Sequence, residues 1–128
     1  MMRTPALVSV VDDDESVRES LPDLLRQLGF AAEGFPSAED FLASDLLHET
    51  RCLLLDVAMP GMSGPELQQE LTSWNHQLPI VFITAHGDRD TCAHLIAQGA
   101  VACLAKPFSE AALLAALSTA LRLKDGHG

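Results

Sequence analysis

The chain has 128 residues, 48% of them hydrophobic, and this length predicts a single domain that spans residues 1–128 and has one compact core. Eighteen acidic residues against eight basic ones give a formal net charge of −10. This charge repels nucleic-acid phosphates and anionic lipids, so it argues against direct nucleic-acid binding and against membrane association. The apolar run before Asp12 is too short for a signal peptide, and no stretch approaches a membrane span. We therefore expect a cytoplasmic protein.

The three cysteines, Cys52, Cys92 and Cys103, lie within apolar stretches and lack the spacing of metal ligands. Free cysteine is among the most buried residue types, and cytosolic proteins keep their thiols reduced. We therefore predict three buried, reduced thiols.

Short apolar runs alternate with longer segments of helical period. This pattern predicts a parallel sheet with helices on both faces, built from five strand–helix units. The predicted strands are residues 6–11, 30–35, 51–56, 79–83 and 101–104. The third contains the continuous apolar run Cys52-Leu53-Leu54-Leu55 and ends in a carboxylate, as expected of a central strand that is buried on both faces.

Turn and cap residues set the predicted helix limits. The first helix ends at Gly29 and contains Pro22, which would remove a backbone donor and could kink it. Ser37, followed by Asp40, caps the second helix, and Pro65 occupies the first position of the third. The apolar stripe of the first helix comprises Val17, Leu21, Leu24, Leu25 and Leu28.

The remaining helices are predicted in the same way. In the third helix, Leu67, Leu71 and Trp74 recur at helical spacing and should face inward. Asp88 caps the fourth helix and Ser109 caps the last. The buried stripe of the last helix comprises Leu113, Leu114, Leu117 and Leu121.

Polar residues follow four of the predicted strands. They are Asp12, Asp13 and Asp14 after the first strand, Asp56 after the third, Thr84 after the fourth and Lys106 after the fifth. Ligands of open parallel sheets bind at the carboxyl ends of the strands, so these groups should share one pocket. Carboxylates at close range raise one another's pKa, and a hard divalent cation keeps them ionised. The sequence therefore predicts an Mg²⁺ site.

A carboxylate beside Mg²⁺ can attack phosphorus, because the metal neutralises charge on the phosphoryl oxygens. Lys106 would supply a positive charge to a second phosphoryl oxygen and Thr84 a hydroxyl donor to a third. The predicted chemistry is phosphoryl transfer to a carboxylate.

Along nearly its whole length the sequence resembles the receiver domain of response regulators, also described as CheY-like. The resemblance rests on Val10-Val11-Asp12-Asp13, on Leu55-Asp56 with the Met59-Pro60-Gly61-Met62-Ser63-Gly64 loop, on Ile83-Thr84-Ala85 and on Lys106-Pro107-Phe108. It implies a flavodoxin-like, doubly wound (βα)5 fold with strand order 2-1-3-4-5.

The resemblance also implies roles for individual residues. Asp56 would accept the phosphoryl group, and Asp13 and Asp56 would bind Mg²⁺ directly with the Ala58 carbonyl. Asp12 would act on the metal through water. Thr84 and Lys106 would bind phosphate, and the Lys106-Pro107 bond would be cis. Asp14 has no such role and is interpreted as a solvated carboxylate at a helix start.

The resemblance leaves open the roles of two positions near this site, Cys103 and His86. Where the family usually places an aromatic residue, three positions before the lysine, this chain has Cys103, which puts the usual threonine–aromatic coupling in doubt. A smaller side chain leaves less apolar surface to rearrange. His86, two residues after Thr84, is either a modulator of phosphoryl lifetime or an ordinary loop histidine.

A different enzyme class shares part of the pattern. Asp12-x-Asp14-x-Ser16 also resembles the nucleophile motif of haloacid-dehalogenase-type phosphatases, with Asp12 as nucleophile. Those enzymes need a later acidic pair, and only Glu110 and Asp125 follow Lys106. A flavin- or nucleotide-binding module is disfavoured because the first loop is acidic.

The resemblance implies partners rather than a substrate. A sensor histidine kinase or a histidine phosphotransfer protein would phosphorylate the domain, which would not be an enzyme beyond its own phosphorylation and dephosphorylation. Output would pass through the face formed by the fourth helix, the fifth strand and the last helix, to a downstream domain or protein, and a phosphorylation-dependent homodimer is left open. The chain is either a free-standing regulator or the amino-terminal part of a longer one.

Overall fold

The computed structural model describes residues 5–85 and 89–125, which form one five-stranded parallel sheet with helices between the strands. Its elements are β1 (Leu7–Val11), α1 (Glu15–Gln27), β2 (Ala31–Phe35), α2 (Ala38–Leu42), a short 3-10 helix (Asp45–Glu49), β3 (Thr50–Asp56), α3 (Gly64–Ser73), β4 (Ile80–Thr84), α4 (Arg89–Ala97), β5 (Ala102–Ala105) and α5 (Glu110–Asp125). The strand order is β2-β1-β3-β4-β5, which confirms the predicted fold.

The strand order reverses between β1 and β3. β1 pairs in parallel with β2 on one side and with β3 on the other, and β4 and β5 continue the sheet beyond β3. In open sheets of this kind a crevice forms at the carboxyl ends of the strands where the order reverses. This topology places the residues after β1 and β3 at that crevice.

The hydrophobic core lies in two layers, one on each face of the sheet. In β3, Cys52 and Leu54 face one layer while Leu53 and Leu55 face the other, and all four are fully buried. The first layer also contains Leu25 from α1 and Leu113 and Leu117 from α5. The second contains Phe41, Leu67, Leu71 and Leu95 from α2, α3 and α4. The apolar run of β3 thus serves both layers, as predicted.

Most predicted helix ends are confirmed. The Ser37 hydroxyl accepts from the Asp40 N–H at 3.0 Å, and the Ser109 hydroxyl accepts from the Ala112 N–H at 3.0 Å. Gly29, with φ of 101°, follows the C-cap of α1 and takes the left-handed conformation that glycine tolerates best. Asp88, the predicted cap of α4, lies outside the described residues.

Helix α3 differs from prediction at both ends. Ser63 is its N-cap and forms a capping box with Glu66, so Pro65 lies one position later than predicted. Leu67 and Leu71 are buried as expected, but the prediction for Trp74 is wrong, since that residue is 50% exposed. The helix ends at Ser73, and Trp74 is the C-cap, where helical spacing no longer fixes the direction of a side chain.

Helices α1 and α5 differ in detail from their predictions. Helix α1 continues unbroken across Pro22, which is buried. In α5, Leu113 and Leu117 are buried while Leu114 and Leu121 remain half-buried. Among the helices of the described ranges, none has the length and apolar character that crossing a membrane would require.

Candidate functional site

Three carboxylates converge at the crevice. Asp12, at the end of β1, is fully buried, Asp56, at the end of β3, is 8% exposed, and Asp13 is exposed. Each offers a ligand oxygen, and these oxygens lie within 4.8 Å of one another. The structure thus brings together the acidic residues that the sequence assigned to a metal site.

The backbone that carries Asp12 and Asp13 is held by hydrogen bonds from several directions. The Asp12 N–H donates to the Phe35 carbonyl at 3.1 Å. The Arg18 Nη1 atom donates to the carbonyls of Asp12 and Asp13, at 3.2 and 3.0 Å. Asp12 Oδ1 also accepts from the Asp14 N–H at 2.9 Å, and Asp14 is the N-cap of α1. The acidic turn is therefore preorganised by its neighbours.

Lys106 reaches the same pocket from β5. Its Nζ atom lies 3.2 Å from Asp12 Oδ2, and its side chain is 27% exposed. Its backbone N–H donates to the Thr84 carbonyl at 2.8 Å, which joins the end of β5 to the end of β4. The Lys106-Pro107 peptide bond is cis, as predicted.

The surroundings of Asp56 favour its protonated form. Its pKa is raised to about 7, first by burial and second by the charge of Asp12. The Lys106 ammonium and the Ala58 N–H, which donates to Asp56 Oδ1 at 3.3 Å, oppose this rise. A carboxylate in this setting is stabilised in its charged form by an additional cation.

The donor set fits a hard divalent cation. Carboxylate and carbonyl oxygens are the ligands that Mg²⁺ takes in proteins, usually together with several waters. Asp12, Asp13 and Asp56 provide the carboxylates, and Ala58, whose N–H bonds to Asp56, is an exposed residue two positions further along. A cation there would also offset the repulsion between Asp12 and Asp56.

Close packing fixes the loop after Asp56. The Val57 N–H donates to the Ile83 carbonyl, and the Gly64 N–H donates to the Val57 carbonyl. A Cβ on Gly64 would lie 2.9 Å from the Phe82 Cε1 atom and closer still to the Asp56 carbonyl oxygen. Only glycine fits at position 64 without displacing the backbone of Asp56.

Two residues that position the site were missed by the sequence analysis. Besides Arg18, Glu39 of α2 accepts from the Met62 N–H at 3.1 Å and so ties α2 to the loop after β3. The Glu39 contact spans 23 positions of the sequence, and the Arg18 contacts depend on how α1 is oriented relative to the acidic turn. Neither follows from a local sequence pattern.

The prediction of three reduced cysteines is wrong for two of them. Cys92 of α4 and Cys103 of β5 form a disulfide, with their Cα atoms 5.6 Å apart. Helix α4 packs against β5 and brings the two residues within bridging range, which spacing along the chain cannot show. Cys52 is free and fully buried, as predicted, and burial raises the pKa of its thiol to about 12.

Two predicted site residues remain, Thr84 and His86. Thr84 ends β4 and is half-buried, with Ala105 as its strand partner and Lys106 bonded to its carbonyl. His86 lies outside the described residues, so its predicted role stays a prediction.

Comparison with known proteins assigns a family to this sheet with an acidic cluster and a lysine at its crevice. The family model described as response regulator receiver domain matches residues 8–118. The chain belongs to this family, the receiver domains of two-component signal transduction.

Named relatives cover nearly all of the chain. Nodulation protein W of Bradyrhizobium diazoefficiens is 44% identical over 117 residues, which are 91% of this chain and 52% of that protein. Response regulator protein TodT of Pseudomonas putida is 42% identical over 118 residues, again 52% of its length. The chain thus spans about half the length of these relatives.

Solved structures give the same result. The response regulator StyR matches with a TM-score of 0.86 and 48% identity, covering 97% of this chain and 63% of that one. The FixJ-N structure matches with a TM-score of 0.83 and 36% identity, covering 94% and 96%. These findings give no support to the alternative interpretation as a haloacid-dehalogenase-type phosphatase.

Proposed function

We propose that this chain is a phosphorylation-operated switch in which Asp56 accepts a phosphoryl group in an Mg²⁺-dependent reaction. The observation that carries the proposal is the convergence of Asp12, Asp13 and Asp56, with ligand oxygens within 4.8 Å, beside the ammonium group of Lys106. The donor would be the phosphohistidine of a sensor kinase or of a histidine phosphotransfer protein.

In the proposed reaction an Asp56 carboxylate oxygen attacks phosphorus. The new O–P bond forms as the P–N bond to the donor histidine breaks, and the released imidazole takes up a proton. Asp13, Asp56 and the Ala58 carbonyl would hold Mg²⁺, with Asp12 acting through water, and the bound metal would supply charge neutralisation for the phosphoryl oxygens. No separate substrate is turned over, so the domain acts as an acceptor rather than as an enzyme.

Lys106 and Thr84 would bind the phosphoryl group once it is attached. Lys106 is partly exposed and pairs with Asp12 at 3.2 Å, so its ammonium group is accessible to a phosphoryl oxygen in the same pocket. The Thr84 hydroxyl would donate to another oxygen. Because the Lys106 N–H binds the Thr84 carbonyl, movement of either residue is transmitted to both β4 and β5.

The phosphorylated state would be read by a partner at the face formed by α4, β5 and α5. Relatives that include the transcriptional regulatory protein FixJ of Azorhizobium caulinodans extend well beyond the region they share with this chain. We therefore propose that this chain is the receiver part of a longer cytoplasmic regulator, rather than a free-standing one. Whether the natural reading frame continues past Gly128 decides between the two.

The phosphoacceptor proposal is tested by intact-mass measurement. The protein is incubated with acetyl phosphate and Mg²⁺, with EDTA in a parallel sample, and Asp56→Asn is treated identically. We expect one added phosphoryl group in the wild-type protein with Mg²⁺ and none in the variant or with EDTA. Equal labelling of wild type and variant would reject Asp56 as the acceptor.

A further inference from the structure

The disulfide joins α4 to β5, two of the three elements of the proposed output face. Cys103 lies within β5, where it is the strand partner of Phe82, so it is fixed to the sheet. Cys92 lies on α4, and of residues 90–97, whose side chains the structure describes, only Leu95 is buried. By contrast, four residues of α5 are buried: Leu113, Ala116, Leu117 and Ala120.

Because α4 has so small a buried face, the covalent bond contributes a large share of what holds it to the sheet. Helices with few buried apolar contacts open locally at low free-energy cost. A cross-link between Cys92 and Cys103 restricts such opening, since the helix cannot leave β5 while the bond is intact.

The two cysteines are linked along the chain to the two proposed phosphate-binding residues. Cys103 is three residues before Lys106, and the Lys106 N–H binds the carbonyl of Thr84. Helix α4 begins at Arg89, five residues after Thr84. The disulfide therefore connects the helix that follows Thr84 with the strand that leads into Lys106.

We propose that the Cys92–Cys103 disulfide is a reversible redox lock, which fixes α4 to β5 when oxidised and frees the α4–β5–α5 face to respond when reduced. This inference rests on the proposed function, because the response it controls is the one that follows phosphorylation of Asp56.

The exposure of the sulfur-bearing residues suits a reversible switch. Cys92 and Cys103 are both partly exposed, so a thiol reductant can approach the bond. Cys52 is fully buried with a strongly raised pKa, and only thiolates attack disulfides, so Cys52 is no competitor in exchange. Disulfides in cytosolic proteins are usually transient, catalytic or redox-sensing.

The chemistry requires a dithiol reductant and a disulfide oxidant. One thiolate of the reductant attacks a sulfur of the bridge, which forms a mixed disulfide and releases the other cysteine as a thiol after it takes a proton. The second thiol of the reductant then attacks the mixed disulfide, frees the second cysteine and leaves the reductant oxidised. Two electrons and two protons are transferred, and glutathione disulfide reverses the process.

The test combines thiol counting with hydrogen exchange. The protein is equilibrated with dithiothreitol or with glutathione disulfide, and free thiols are counted by alkylation and mass. Each form is then treated with acetyl phosphate and Mg²⁺, phosphorylation is measured by intact mass, and amide exchange is followed in α4 and β5. Cys92→Ser removes the bridge, and Cys52→Ala is the matched control that keeps it.

We expect both forms to be phosphorylated. Phosphorylation should raise exchange in α4 by roughly tenfold in the reduced protein and in Cys92→Ser, but by less than about twofold in the oxidised protein and in oxidised Cys52→Ala. Equal responses in the two redox forms would overturn the lock, as would a bridge that never forms or cannot be reduced. If Asp56 is not phosphorylated in either form, the proposed function fails and the lock fails with it.

Discussion

The Nζ atom of Lys106 lies 3.2 Å from Oδ2 of Asp12, across 94 positions of the sequence. The Asp12 side chain is almost completely buried, whereas that of Lys106 is 27% exposed. The pair therefore keeps a buried negative charge compensated while leaving the positive partner accessible to a ligand. Removing the lysine would leave Asp12 and Asp56 facing each other without a counter-charge.

Lys106→Met should lower the free energy of unfolding by about 2 kcal/mol in EDTA, because breaking a buried pair leaves an uncompensated charge, here moderated by solvent. The loss should be smaller in excess Mg²⁺, since the cation offsets the same carboxylates. Urea denaturation of both samples measures the difference. Lys106→Arg, which keeps the charge, is the control, and an equal loss in Lys106→Arg would contradict the electrostatic explanation.

Asp56→Asn should stabilise the metal-free protein at pH 8. The folded-state pKa of Asp56 is raised to about 7 from 3.8, so the folded protein binds the proton more tightly than the unfolded chain does. The contribution of Asp56 to stability is therefore complete below pH 4 and is lost as pH rises through 7. The advantage of Asn should be largest at pH 8 and shrink at pH 5.

Denaturant midpoints of Asp56→Asn and the wild type, measured in EDTA at the two pH values, test this expectation. Mg²⁺ should then stabilise the wild type more than the variant, because a ligand that binds only the folded state raises stability by an amount that increases with its affinity. An advantage of Asn that is the same at both pH values would show that the titration of Asp56 is not its cause.

Gly64→Ala should destabilise the protein by about 3 kcal/mol, the upper part of the range for overpacking a tight site. The added Cβ would meet Phe82 and the backbone of Asp56, so phosphorylation should slow as well. Gly29→Ala is the matched control, since Gly29 has a φ of 101° and no atom within 4 Å of an added Cβ. Its cost should be about 1 kcal/mol, with normal phosphorylation. Equal effects of the two substitutions on phosphorylation would refute the steric argument.

Reduction of the disulfide should lower the free energy of unfolding by about 3 kcal/mol, because the bond closes a short loop and restricts the unfolded chain. The two cysteines are 11 residues apart. Denaturation with and without dithiothreitol gives the value, and Cys92→Ser should be insensitive to the reductant. A wild-type protein that unfolds at the same denaturant concentration in both conditions would contradict the prediction.

The sequence predicted the sheet and the residues at its crevice because both depend on regular patterns. Strand ends in a parallel sheet share one edge, so Asp12, Asp56, Thr84 and Lys106 could be grouped without coordinates. The caps at Ser37 and Ser109 were predictable because they depend on residues only three positions apart.

The wrong predictions and the missed contacts have a common physical origin. Each depends on how a helix packs or where it ends. Trp74 follows the helical spacing of Leu67 and Leu71 but lies at the C-cap of α3, so it is half-exposed. The sequence pattern predicts buried thiols for Cys92 and Cys103, whereas the packing of α4 on β5 brings them within bonding distance. The contact of Glu39 with the backbone of Met62, 23 positions away, carries no local signature. That of Arg18 with the Asp13 carbonyl depends on the orientation of α1.

The most direct test of the proposed switch is to locate the phosphoryl group on the chain. Protein treated with acetyl phosphate and Mg²⁺ is reduced with borohydride, which converts an aspartyl phosphate to homoserine, and its peptides are sequenced by mass spectrometry. We expect homoserine at position 56 and unmodified aspartate at positions 12 and 13. Homoserine at position 12 or 13, or labelling on a residue outside the crevice, would contradict the assignment of Asp56 as the phosphoacceptor.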